Sequence, residues 1–184
     1  MFSDGRSKRL VIVSHCILNQ NSISDSTADF PSQFQEIVKL LIDNNIGIIQ
    51  LRCPEILCLG LNRMDDQGCK RELLTENSRI RKLLECELNL KRIRNYVKDV
   101  LYEIAEYKKY GFEILGIIGV NRSPSCGINT TSKNNEEISG YGVLMNELKL
   151  ILEKERIEIP MIGTKTSEVD ESVKTVQALI VGKY

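Results

Sequence analysis

The chain has 184 residues, 42% of them hydrophobic, enough for one core spanning 1–184 and short of two ordinary domains. Lys+Arg and Asp+Glu number 25 each, so the formal net charge is zero and the sequence shows no global electrostatic footprint for nucleic acid or an anionic membrane. No run reaches the ~18 apolar residues of a membrane span, and the first apolar run, Leu10 to Val13, is too short for a secretory signal, so a cytoplasmic location is expected.

In chain order, Arg9 to Ser14 is short, continuous and β-branched, the pattern of a strand buried on both faces. A polar stretch, Asn19 to Asp29, precedes a predicted helix from Pro31 to Asn44, with Phe34, Ile37, Val38 and Leu41 on one face. Gly47 to Leu51 reads as a second strand, and Cys53 to Asn77 as a long irregular loop, a length uncommon without a function. Ser78 to Tyr110 is predicted as one long helix with a kink near Glu87 to Leu90, stopped by Gly111. Glu113 to Val120 is the third strand, followed by a polar loop to Ser139 and a helix over Tyr141 to Glu155. Glu158 to Gly163 is a fourth strand, placed near an edge by Pro160, and Asp170 to Val181 is the last helix. Strand and helix alternate four times, which predicts an α/β fold. Its expected form is a small doubly wound parallel sheet of four to five strands, flavodoxin-like or half-Rossmann. No strand is followed by Gly-x-Gly-x-x-Gly and there is no Walker A loop, so the dinucleotide and P-loop readings fall away.

Ligands of an open parallel sheet bind beyond the carboxyl ends of its strands. Ser14-His15-Cys16 follows the first strand, Arg52-Cys53-Pro54-Glu55 the second, and Asn121-Arg122-Ser123-Pro124-Ser125-Cys126-Gly127 the third. A parallel sheet puts all three cysteines on one rim. Six cysteines in a reducing compartment point to metal, catalysis or plain burial and away from a disulfide framework. Three converging thiolates suit a soft metal: zinc with a further ligand, or three irons of an iron–sulfur cluster with the fourth left open. A single cysteine is often just a small buried hydrophobe. That reading is kept for Cys69, for Cys86 within the long helix, and for Cys58, which is also the candidate if a fourth thiol joins the site. Glu55, on a backbone stiffened by Pro54, can move protons beside a metal or serve as a helix cap. Ser123 and Ser125 can bind a ligand or simply make a turn. Arg122 can hold a substrate, offset cluster charge or pair with a carboxylate, and Ser14 stands at the same rim. His15, the one histidine, is a ligand candidate whose ordinary role would be a structural hydrogen bond.

Val13-Ser14-His15-Cys16, Cys53-Pro54-Glu55 and Ser123-Pro124-Ser125-Cys126-Gly127, in this order, resemble the 2-thiouracil desulfidase family and its bacterial and archaeal relatives. The motifs span positions 13 to 127, and Ser-Pro-Ser-Cys-Gly is the most specific of them. The resemblance implies a [4Fe-4S] cluster on Cys16, Cys53 and Cys126 whose open iron takes sulfur from a thiocarbonyl compound. It implies Glu55 and Ser123 as acid/base and substrate residues; Ser14, Arg122 and Ser125 are the further substrate-binding candidates read from the rim itself. His15-Cys16-Ile17-Leu18-Asn19 stands where the family has Cys-Leu-Leu-Gly, and Arg122 where it has lysine, which marks a related branch. The rival expectations are a zinc-dependent hydrolase and a metal or redox sensor built on the same thiols.

Overall fold

The computed structural model describes residues 2–184. In chain order the strands are β1 (Arg9–Val13), β2 (Gly47–Gln50), β3 (Glu113–Val120), β4 (Thr130–Lys133), β5 (Glu136–Ser139) and β6 (Met161–Thr164). The helices are α1 (His15–Leu18), α2 (Gln35–Asp43), α3 (Pro54–Leu59), α4 (Leu73–Leu84), α5 (Glu87–Lys109), α6 (Val143–Lys154) and α7 (Val169–Ile180). Four strands form an all-parallel sheet in the order β2-β1-β3-β6, while β4 and β5 form a separate antiparallel hairpin. This is the flavodoxin-like order, which turns from one direction to the other between β1 and β3.

The central strands alternate by period two between two cores. Ile12 and Ile117 face a core shared with Ile93, Val97 and Ile104 of α5 and Leu144 and Leu148 of α6. Val11, Val13 and Ile118 face the other, with Ile37 and Leu41 of α2 and Val176 and Leu179 of α7. Helices therefore cover both sides, which is why β1 and β3 read as nearly continuous apolar runs. β6 is an edge strand, and Pro160 just before it needs no ladder donor, since its carbonyl accepts from Ile117 at 2.8 Å. Among the described residues no helix is long and apolar enough to cross a membrane.

Several expected elements are corrected. The stretch 53–77 is not one loop: Pro54 at the first helical position starts α3, and α4 begins at Leu73. The single helix expected over 78–110 is two, because Cys86 takes an extended conformation (φ −64°, ψ 146°) and becomes the N-cap of α5. The polar run before Ser139 holds the β4–β5 hairpin, turned by Asn134 and Asn135, both with positive φ. The helix expected from Pro31 begins at Gln35, and the strand expected from Glu158 begins at Met161.

Gly111 ends α5 as expected. Its φ of +77° lets its own N–H reach Lys108 O at 3.0 Å and that of Phe112 reach Tyr107 O at 3.1 Å, a Schellman closure. The Tyr107 and Phe112 rings meet across it with centroids 5.3 Å apart. Gly111→Ala is expected to cost about 1–2 kcal/mol, the penalty for an L-residue in the left-handed region. Urea unfolding should show a lower midpoint with unchanged slope, and rim chemistry should be unaffected because Gly111 lies at the opposite end of β3.

Candidate active site at the carboxyl rim

The three rim cysteines are placed by separate backbone devices. Cys16 lies in α1, directly after β1, where Ser14 N–H donates to Ile118 O at 2.9 Å and binds the rim of β1 to β3. Cys53 is the residue before Pro54 and the N-cap of α3, and Leu51 N–H donates to Val13 O at 2.9 Å. Cys126 sits in a turn that folds back on β3, with Val120 N–H donating to its carbonyl at 3.0 Å. Ser123 Oγ accepts from the N–H groups of Ser125 (3.3 Å) and Cys126 (3.0 Å), and Ser123 O accepts from Gly127 N–H (3.2 Å). Ser-Pro-Ser-Cys-Gly is thus a self-bonded turn. Gly127 is required by close approach: a Cβ there would strike Thr130 O, and one at Gly142 would strike the Ser125 backbone.

Cys16, Cys53 and Cys126 line one cleft, together with His15, Arg122 and Ser123. Cys126 is buried, the other two partly exposed. Desolvation pushes the Cys53 thiol up to about 11 and the Cys126 thiol to about 12, and raises Cys16 well above its ordinary value. Neighbouring thiolates add to the shift: Cys126 and Cys53 act on Cys16, and Cys53 acts on Cys126. Among the described residues no three His, Cys, Asp or Glu side chains close around a single ion.

Glu55, in the first turn of α3, is 7% exposed and Arg63 2%. Arg63 Nε meets Glu55 Oε2 at 3.0 Å, Arg63 Nη2 stands 4.0 Å from Cys53 Sγ, and its positive charge pulls that thiol's pKa back down. Ser125 Oγ donates to Glu55 Oε1 at 2.7 Å. That uses its one proton, so across the 3.2 Å contact Ser123 is the donor and Ser125 the acceptor. A hydrogen-bonded line runs from Ser123 through Ser125 to the Glu55–Arg63 pair.

Ser14 Oγ is fully buried without a hydrogen-bond partner of ordinary geometry, yet its hydroxyl acts on the Cys126 thiol and lowers its pKa. Arg122 has φ +68°, held by its N–H to Thr130 O and Oγ1 (both 3.1 Å), and its guanidinium makes no ion pair among the described residues. His15 lines the cleft. Cys58 does not: its Sγ points at Asn89 O, 3.8 Å away, and packs against the core under α5. Cys69 and Cys86 are exposed, Cys86 at a helix start and not within a helix as expected.

Two cleft residues carried no sequence signal. Arg63, eight positions after Glu55, shares no periodicity with it and reaches it through consecutive left-handed residues, Arg63 and Met64. Asn77 reaches the cleft from α4.

An archaeal protein from Methanocaldococcus jannaschii, described as "Uncharacterized protein MJ0003", is 35% identical over 179 residues, 95% of this chain and 99% of its own length. No family model matches the chain. No solved structure matches it.

The raised thiols make alkaline stability a test of their burial. Folded-state pKa values above the ordinary 9.0 mean that folding is favoured while the thiols stay protonated. That contribution is complete below pH 9 and is lost as pH rises through about 11 to 12. Denaturant midpoints of the metal-free protein should fall across this window. The Cys16→Ala/Cys53→Ala/Cys126→Ala variant should lose that component of the slope.

Proposed function

We propose, for a chain that belongs to the family of that archaeal protein, that it is a desulfidase converting a small thiocarbonyl compound and water into the carbonyl analogue and hydrogen sulfide. The observation that carries this reading is one cleft, at the turning point between β1 and β3, lined by three thiols, Ser123 and the buried Glu55–Arg63 pair. The resemblance of its three motifs to 2-thiouracil desulfidases supplies the reaction class.

The donor chemistry fits an iron–sulfur group. Three soft sulfurs face one cleft, and the buried Ser14 hydroxyl bears on the Cys126 thiol. A cluster of several irons also spaces its thiolates more widely than a single ion does. In this reading Cys16, Cys53 and Cys126 hold a [4Fe-4S] cluster, which supplies an open Lewis-acidic iron to take the sulfur. Glu55 takes the proton of the attacking water. Arg63 fixes one oxygen of that carboxylate, while Ser125 fixes the other. The proton then returns to the departing sulfur, so one water enters and one hydrogen sulfide leaves for each carbonyl formed. Ser123 orients the ring, Arg122 lines the cleft, and Ser14 donates toward the sulfur of Cys126.

Protein purified without oxygen should be brown and carry about four irons and four acid-labile sulfides per chain. Zinc in their place would favour the hydrolase reading instead. Cys53→Ala should lose the cluster absorption and turnover of 2-thiouracil together. Glu55→Gln should keep the absorption and lose about 10²–10⁴ in turnover, the usual worth of acid–base assistance. Breaking a buried pair also destabilises by about 3–5 kcal/mol, so the melting curve is read alongside. A folded, cluster-bearing Glu55→Gln with wild-type turnover would remove Glu55 from the proton path.

A further inference from the structure

Away from the thiols, a groove of about 550 Å³ lies along the C-terminal half of α5, within the size range of small-molecule sites and lined chiefly by aromatic rings. It sits beside Phe112 at the amino end of β3, whereas the thiol cleft opens at the carboxyl end of that strand. One stripe of α5 and its C-cap supplies most of the lining: Asp99, Tyr102, Glu103, Glu106, Tyr107 and Tyr110, spaced i, i+3, i+4, i+7, i+8 and i+11. The stripe carries three carboxylates, three tyrosines and no cation. Phe2, Arg6 and Phe112 complete the lining, and the Phe2 ring centroid lies 5.7 Å from that of Tyr110 and 5.9 Å from that of Phe112.

These rings already hold cations of the chain itself. The Arg6 guanidinium carbon is 4.1 Å from the Phe2 centroid and Lys109 Nζ is 5.2 Å from that of Tyr110, both within cation–π reach. Neither cation answers the charge in the middle of the stripe. Arg6 is held by both oxygens of Asp4, each at 2.6 Å, and Lys109 by Glu106 at 3.3 Å. Asp99 and Glu103 have no ion pair among the described residues, and Tyr102 between them is 70% exposed. A stripe that served only to anchor the N-terminal segment would draw Arg6 onto these carboxylates. Instead two negative charges, about 6 Å apart along the helix, stand beside open aromatic faces.

We propose that this groove binds an aliphatic polyamine, with neighbouring ammonium groups on Asp99 and Glu103 and the methylene stem against the tyrosine rings. Such a molecule alternates positive charge with apolar chain, as the stripe alternates carboxylate with ring. A compact, strongly hydrated cation such as Mg²⁺ meets the carboxylates alone and leaves the rings unused. The groove is remote from the thiols, so its occupancy stands or falls apart from the desulfidase reading.

Spermidine titrated calorimetrically into the full chain tests this. Tyrosine emission gives a second readout, because the chain has no Trp and three of its six Tyr line the groove. Saturable binding with Kd below about 1 mM is expected, little displaced by Mg²⁺ at equal charge concentration. Asp99→Asn/Glu103→Gln should weaken it by about five- to tenfold, the worth of two exposed ion pairs. Tyr102→Leu keeps an apolar surface without the ring quadrupole and should weaken it by about two- to fivefold. All three side chains are exposed, so both variants should keep the fold. Absence of saturable binding, unchanged affinity in either variant, or ready displacement by Mg²⁺ would overturn the assignment. Tighter binding of a lysine-rich peptide than of spermidine would also overturn it, by giving the groove to a protein partner.

Discussion

The buried pair of Glu55 and Arg63 holds the rim together. Both side chains are buried, and the attraction between them offsets part of the cost of taking two charges out of water. Arg63 also donates to the carbonyls of Leu61 and Ser22, and its own carbonyl accepts from Arg79. Glu55 in turn receives Ser125 from the Cys126 turn. One ion pair thus joins α3, the segment after β1, the loop that follows α3, α4 and the turn after β3.

A second constraint is the opposition between burial and ionisation at the thiols. The cleft lies where the chain leaves β1 and β3 in opposite directions, so loops spread apart and open a crevice. The walls that exclude water also disfavour thiolates, and three thiolates repel one another. Compensation is local: Ser14 acts on Cys126, and Arg63 acts on Cys53. These groups only partly offset the burial, so the thiols stay protonated at ordinary pH.

The glycines complete the arrangement. Gly127 and Gly142 let the Cys126 turn approach the β4 segment and the start of α6 at backbone distance. The Ser-Pro-Ser-Cys-Gly motif is therefore as much a packing device as a chemical one. Ser123 holds the turn through its lone pairs and keeps its proton for Ser125 or a ligand.

The sequence by itself determined the parallel sheet, because β1 and β3 are β-branched runs buried on both faces and the intervening helices carry one apolar face each. With the sheet parallel, the positions of Cys16, Cys53 and Cys126 just past three strand ends were enough to put them on one rim. Gly111 and Pro160 were equally legible, since each acts through its own backbone. The break at Cys86, the existence of α3 and the early start of α4 were not, because helix boundaries depend on which carbonyls find partners across the fold. Arg63 and Asn77 belonged to the tertiary structure altogether. Nothing in a chain's spacing records that a left-handed residue turns one arginine inward onto a carboxylate, or that Ser132 and the Arg122 carbonyl hold the amide of Asn77. Those roles arise from contacts between residues 8 and 55 positions apart, and such contacts exist once the sheet has closed the distance.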